Sequence, residues 1–77
     1  MISVTGDGNT FFVELKVINS VRGVFNPKEL TPSERASFTK ISQTNPEQCI
    51  ILIYNKHNKK VYTLYFFQLT DTSISLE

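Results

Sequence analysis

The chain has 77 residues, with 8 Lys and Arg against 7 Asp and Glu, a formal net charge of +1 and 40% hydrophobic residues. That length allows one domain with a small core, which buries only roughly 60% of the surface the unfolded chain exposes. The single cysteine excludes an internal disulfide, the longest apolar runs are strand-length and too short to span a bilayer, and the near-neutral charge means that any basic patch must be local.

Ile2 to Thr5 alternates apolar and polar residues and predicts a short strand. Gly6-Asp7-Gly8-Asn9 follows as a tight turn, because Asp-Gly between two strand patterns is a hairpin signal and Gly and Asn tolerate positive φ. The second strand, Thr10 to Ile18, is β-branched and aromatic throughout, with two charges set into it. Successive strand side chains point to opposite faces. Phe11, Val13, Leu15 and Val17 therefore share one apolar face, and Phe12, Glu14, Lys16 and Ile18 share the other. With Asp7-Gly8 as a two-residue loop, Thr5 faces Thr10, Ser3 faces Phe12 and Met1 faces Glu14.

Asn19 to Leu30 has little periodicity and is expected to be a long irregular connection, with Val21, Val24 and Phe25 tucked against the body or a partner subunit. A helix then starts. Thr31 is the N-cap, Pro32 fits the first helical position, and Glu34 completes a capping box. The helix is expected from about Pro32 to Gln43, with Ala36 or Phe38 and Ile41 on a thin apolar face, and Asn45-Pro46 ends it. Cys49 to Tyr54 is a continuous apolar run, suited to a strand buried on both faces and parallel to Thr10–Ile18. Cys49 within it is expected to be a buried small hydrophobe, not a reactive thiol. Asn55 to Lys60 forms a polar turn, Val61 to Phe67 a returning strand, and Gln68 to Glu77 a polar segment with a loose end.

The expected fold is a single α/β domain over residues 1–77: a small mixed sheet in the order β-β-α-β-β, with one crossover helix on one face. The other face lacks cover, and small cores often need oligomerisation, so a homodimer or higher oligomer is expected. No basic segment followed by an apolar one opens the chain, so no signal peptide is expected. The absence of a disulfide framework suits a reducing cytoplasm.

Glu14 and Lys16 set a carboxylate and an ammonium side by side in an otherwise hydrophobic strand, which costs desolvation energy unless they pair or serve something. One reading is a Glu/Lys pair on a solvated sheet face. The other is a metal-dependent nuclease site.

The β-β-α-β-β order, with Phe12-Val13-Glu14-Leu15-Lys16 in the second strand of a hairpin and Leu30-Thr31-Pro32 opening a helix, resembles the PD-(D/E)XK nuclease superfamily over roughly residues 6–67. It looks most like the RecU-type Holliday junction resolvases and the virus-type replication-repair nucleases. The resemblance implies a truncated restriction-endonuclease-like core and Mg²⁺-dependent hydrolysis of duplex or branched DNA in recombination or repair. It assigns Glu14 to the metal, the carbonyl of Leu15 as a further ligand, and Lys16 to the phosphate or the attacking water.

Two departures bear on activity. Those families often carry a glutamine where this chain has Glu34, which the capping box explains. The superfamily's first metal-binding acid would fall at Met1, and Asp7 lies roughly 20 Å along the strand from Glu14. The superfamily's first helix and strand would also precede Met1, which matches the uncovered sheet face. An incomplete site that cleaves DNA poorly is therefore expected. The alternatives are a non-catalytic, nuclease-derived DNA- or protein-binding module, such as a phage-encoded inhibitor, and an unrelated β-rich interaction domain. Arg22 and Lys28 in the loop, with Lys56, Lys59 and Lys60 in the hairpin turn, are the candidate contacts to DNA phosphates; a solvated turn is the alternative for the lysine cluster. His57 is expected to be exposed, and Tyr54, Tyr62 and Tyr65 to pack on the sheet.

Overall fold

The computed structural model describes all residues, 1–77. Strands β1 (Ile2–Gly6) and β2 (Asn9–Ile18) form the first hairpin. Asp7 and Gly8 at its tip have φ of 53° and 78°. A turn with two positive φ values matches the twist of the flanking strands. The register is the predicted one: Thr5 opposite Thr10, Ser3 opposite Phe12, Ile2 opposite Val13. An alanine at position 8 would force a Cβ into left-handed backbone, so Gly8→Ala should cost about 1 kcal/mol, read as a lower urea midpoint.

After β2 come a short strand β3 (Val24–Phe25), a 3₁₀ turn at Pro27–Glu29, helix α1 (Pro32–Ser42) and a second 3₁₀ turn at Pro46–Gln48. Strand β4 (Cys49–Asn55), strand β5 (Lys60–Tyr65), a third 3₁₀ turn at Phe66–Gln68 and strand β6 (Ile74–Ser75) complete the chain. The main sheet has the order β1-β2-β4-β5. β2 and β4 are parallel, with Glu14 opposite Ile51 and Lys16 opposite Ile53, while β5 returns antiparallel to β4. The helix thus crosses between parallel strands, as the capping box between two apolar strand patterns predicts. No helix is long and apolar enough to cross a membrane.

The core lies between α1 and one face of this sheet. Phe38 of the helix, Leu30 before it and Phe25 of β3 close over Cys49, Ile51 and Ile53 of β4 and Leu64 of β5, all buried. Ala36 stays exposed, so the helix docks through Phe38 and half-buried Ile41. Cys49 is fully buried, and that burial pushes its thiol up from the ordinary range, as a packing residue requires.

Three expectations need correction. The connection after β2 is not wholly irregular: Val24–Phe25 pairs antiparallel with Ile74–Ser75 to make a second, two-stranded sheet. That pairing also ties down the C-terminal segment, where Ile74 and Leu76 pack on the core. The returning strand stops at Tyr65, because the chain turns so that Phe66 drops onto Phe38, ring centroids 5.2 Å apart.

On the far side of the sheet nothing covers the strands. Ile2, Val4, Leu15, Val17, Val61 and Tyr65 there keep 38–65% of their surface exposed.

Candidate functional site

β2 presents Glu14 and Lys16 on the face beneath α1, so the pair does not lie on a solvated surface. The capping box aims the first turn of α1 at them. Thr31 Oγ1 accepts from the Glu34 N–H at 3.1 Å, and Glu34 Oε1 accepts from the Thr31 N–H at 2.8 Å. The same Glu34 oxygen accepts from Lys16 Nζ at 2.8 Å. Sequence reasoning found the cap and missed this second bond, since it forms only when the helix docks. Lys16, then the Thr31 N–H, then the neighbouring Glu14 carboxyl hold the Glu34 carboxyl down from 4.5 to about 2, against the opposing effect of burial.

Glu14 is buried, 8% exposed. Its Oε2 lies 3.3 Å from the amino group of Met1, in ion-pair range, but no donor is aligned on that oxygen for a hydrogen bond. Register explains the contact, because Ile2 pairs with Val13 and the residue before it reaches Glu14. A charged group of the chain itself thus stands opposite Glu14. The Leu15 side chain points to the bare face, 55% exposed, so only its backbone carbonyl faces the question of a ligand.

Magnesium takes about six oxygen ligands in near-octahedral geometry. Of the carboxylates gathered here, Glu34 Oε1 is committed to Lys16 and its own helix cap, and Glu14 Oε2 is buried without an aligned donor. No three His, Cys, Asp or Glu residues cluster anywhere in the chain to hold a metal ion. Magnesium is usually held by one or two carboxylates, with waters and phosphate oxygens completing its shell, and of the two carboxylates here Glu34 is already engaged. What the cluster does accomplish is mechanical: it bonds the first turn of α1 to β2 through a short, partly buried ion pair.

A second grouping lies where the parallel strands β2 and β4 end. Arg22 sits in the loop after β2, Lys28 in the turn leading to α1, and Lys56, Lys59 and Lys60 in the β4–β5 turn. All five are exposed and none takes part in either of the two ion pairs of the chain. Asn55, fully buried, joins the loop to the turn. Its Oδ1 accepts from the N–H of Ser20 at 3.0 Å and of His57 at 3.1 Å, and its Nδ2 donates to the Ser20 carbonyl at 3.0 Å. The Lys56 N–H donates to the Ile18 carbonyl at 2.8 Å, which extends the ladder into the turn.

On the other side of the turn, Asn58 Nδ2 donates to the Tyr62 hydroxyl at 2.7 Å and to Glu77 Oε1 at 3.0 Å, while the Tyr62 hydroxyl donates to the same Glu77 oxygen at 2.8 Å. Burial and then Glu77 push the Tyr62 hydroxyl up, so it stays a donor. Lys59 adopts φ 60°, a left-handed conformation within the turn. His57 is exposed, as expected. Asn55 is the residue the sequence reading missed. Its signal was available: Cys49, Ile51, Ile53 and Asn55 alternate on one face, and an asparagine ending that series points inward.

Acidic groups sit at the opposite end of the sheet, Asp7 at the tip of the first hairpin and Glu47 just before β4. Glu47 lines a cleft of about 460 Å³ with Phe11, Tyr65 and Phe67, and the last two rings stack at 5.2 Å. Tyr62 does pack on the core, whereas Tyr54 and Tyr65 remain part-exposed on the bare face. No family model matches the chain, and neither the curated proteins nor the solved structures contain a match to it.

Proposed function

We propose that this chain binds DNA without hydrolysing it, as a nuclease-like module related to the PD-(D/E)XK superfamily and nearest to its RecU-type and virus-type branches. The observation that carries the reading is the basic end of the sheet. Arg22, Lys28, Lys56, Lys59 and Lys60 are exposed and free of ion-pair partners, and Asn55 ties the loop of Arg22 to the turn of Lys56, Lys59 and Lys60. The carboxyl ends of parallel strands are the usual place for ligands in open α/β sheets. Unpaired cations on a braced frame favour phosphate contacts, which give affinity without reading sequence. The Glu14–Lys16–Glu34 cluster supports the non-hydrolytic half of the reading. Water activation needs a firmly held cation, and here the lysine and one carboxylate already satisfy each other.

The test is fluorescence anisotropy with duplex, single-stranded and four-way-junction DNA across a salt series. Each phosphate neutralised contributes about −0.9 to the slope of log K against log salt, so the slope should approach about −4.5 if all five cations engage. Combining Lys56→Ala, Lys59→Gly and Lys60→Ala should flatten it by about 3 and weaken binding at least about tenfold at low salt. Glycine suits the positive φ of position 59, so the charge is removed with the turn intact. Incubation with Mg²⁺ or Mn²⁺ should leave each DNA uncut. Salt-insensitive or absent binding would count against the proposal. Cleavage that disappears in Glu14→Ala would restore the endonuclease reading.

A further inference from the structure

The structure is only 18 Å across its thinnest dimension. One layer of sheet and one layer over it account for that thickness, since packed layers lie about 10 Å apart. The strand register decides what the uncovered face contains. Val13 is flanked by Ile2 and Ile50, Leu15 by Leu52, and Val17 by Tyr54, with Thr63 opposite Leu52 on β5. No Asp, Glu, Lys or Arg falls on this side of any of the four strands.

We propose that this face is the interface of a homodimer, with two copies of the sheet packed face to face about a two-fold axis. The proposal is independent of the DNA reading. Four observations favour a second copy over other occupants. First, a two-fold interface sets a patch against itself, and a charge-free patch meets itself without like-charge repulsion. Second, from the fractional exposures of its side chains the patch offers on the order of 700 Å² per copy, so a pair buries roughly 1,400 Å², within the range of stable specific interfaces. An apolar patch of that size is larger than a monomer ordinarily leaves open.

Third, Leu15, Val17, Leu52, Tyr54 and Val61, with Lys16 between the first two also bordering it, form a groove of about 320 Å³, which gives protruding side chains of the partner copy a place to enter. Fourth, the two ends of the sheet differ in charge. Lys56, Lys59 and Lys60 outweigh Glu77 at one end, and Asp7 and Glu47 lie at the other. A two-fold axis running across the strands sets each basic end beside the acidic end of the other copy, which fixes orientation. The chain's own C-terminal segment is engaged elsewhere, because Ile74 and Leu76 pack on the core side.

Sedimentation equilibrium of the full chain at micromolar concentration tests this. The expected mass is twice the 8.8 kDa of one chain. Val17→Lys and Thr63→Arg each place a charge within the proposed interface on an exposed position, one beside Tyr54 and the other beside Leu52. Thr63→Arg gives up only one exposed methyl group, so it spares the monomer fold even if Val17→Lys does not. Each should weaken association roughly a hundredfold or more and give monomers with unchanged far-ultraviolet circular dichroism. A folded wild-type monomer throughout the range overturns the proposal. So does a dimer that survives both substitutions, since pairing through the exposed edges of β1 or β5 would be indifferent to them.

Discussion

Replacing Asn55 with alanine should destabilise the chain by about 3 kcal/mol and weaken DNA binding with it. Asn55 has no exposed surface, and its amide makes three hydrogen bonds that the substitution removes together. The Ser20 N–H and carbonyl and the His57 N–H lose their partner, and each buried group left unsatisfied costs about 1–3 kcal/mol. Water can reach some of them, because Ser20 is half-buried and His57 exposed, so the sum falls short of the largest total. Asn55→Asp is the sharper comparison: it retains an acceptor for the two N–H groups but loses the donor to Ser20 and buries a charge. Both variants should lower the urea midpoint. DNA affinity, measured where the variants remain folded, should fall as well. With the loop carrying Arg22 released from the turn carrying the lysines, binding must order both segments itself. An unchanged midpoint in Asn55→Ala would show that the loop and turn are held by the Lys56–Ile18 backbone bond alone.

Elements whose chemistry is local were legible before the structure. Asp7-Gly8 specifies a turn with two positive φ values, and the register of β1 on β2 follows from that turn length. Thr31, Pro32 and Glu34 specify a helix start, since all the groups involved lie within four residues. The run from Cys49 is apolar on both faces because β4 is central in the sheet. What escaped depends on distant partners. β3 and β6 are two residues each, and nothing in Val24-Phe25 says that Ile74-Ser75 will pair with it. Phe66 looked like a strand residue because its preference for strands is real, but Phe38 of the helix draws it inward. The alternation of β2 defined its two faces and not which one the helix would cover. The all-apolar face, with Phe11, Val13, Leu15 and Val17, is the natural expectation for a core. The helix instead lies over Glu14 and Lys16, where Glu34 neutralises the lysine and Phe12 and Ile18 supply the apolar contacts. The candidate site was therefore half legible: its residues were visible as a strand pair, and their partner was visible only as a cap.

Lys16→Met should cost about 3 kcal/mol of stability near pH 7, with most of that loss vanishing in acid. The substitution keeps the length of the side chain and removes its charge. Glu34 then retains the Thr31 N–H and the neighbouring Glu14 carboxyl but loses its cation, and the only positive group left nearby is the amino group of Met1 beside Glu14. Two adjacent carboxylates short of a cation repel each other until one takes up a proton, so the variant should regain stability as the pH is lowered. The wild-type chain behaves oppositely. Its Glu34 carboxyl sits at about 2 when folded against 4.5 when free. A depressed folded-state value means stabilisation that is present above about pH 4.5 and lost as the pH falls toward 2. Part of each side chain remains in contact with solvent, so for the wild type this acid-labile contribution is about 1–2 kcal/mol. Urea denaturation from pH 7 down to pH 3 should thus show two curves that start apart and converge. Glu34→Gln supplies the control: it keeps an acceptor for the Thr31 N–H, loses stability at pH 7, and flattens the acid limb. DNA affinity of Lys16→Met, measured at pH 7 on folded protein, should match the wild type, because Lys16 is engaged beneath the helix and the exposed cations are untouched. A Lys16→Met chain that kept the wild-type stability at pH 7 would mean that packing of Phe38, not the ion pair, holds α1 on the sheet. One that lost DNA binding while remaining folded would instead move the phosphate contact to Lys16 itself and reopen the case for chemistry at this cluster.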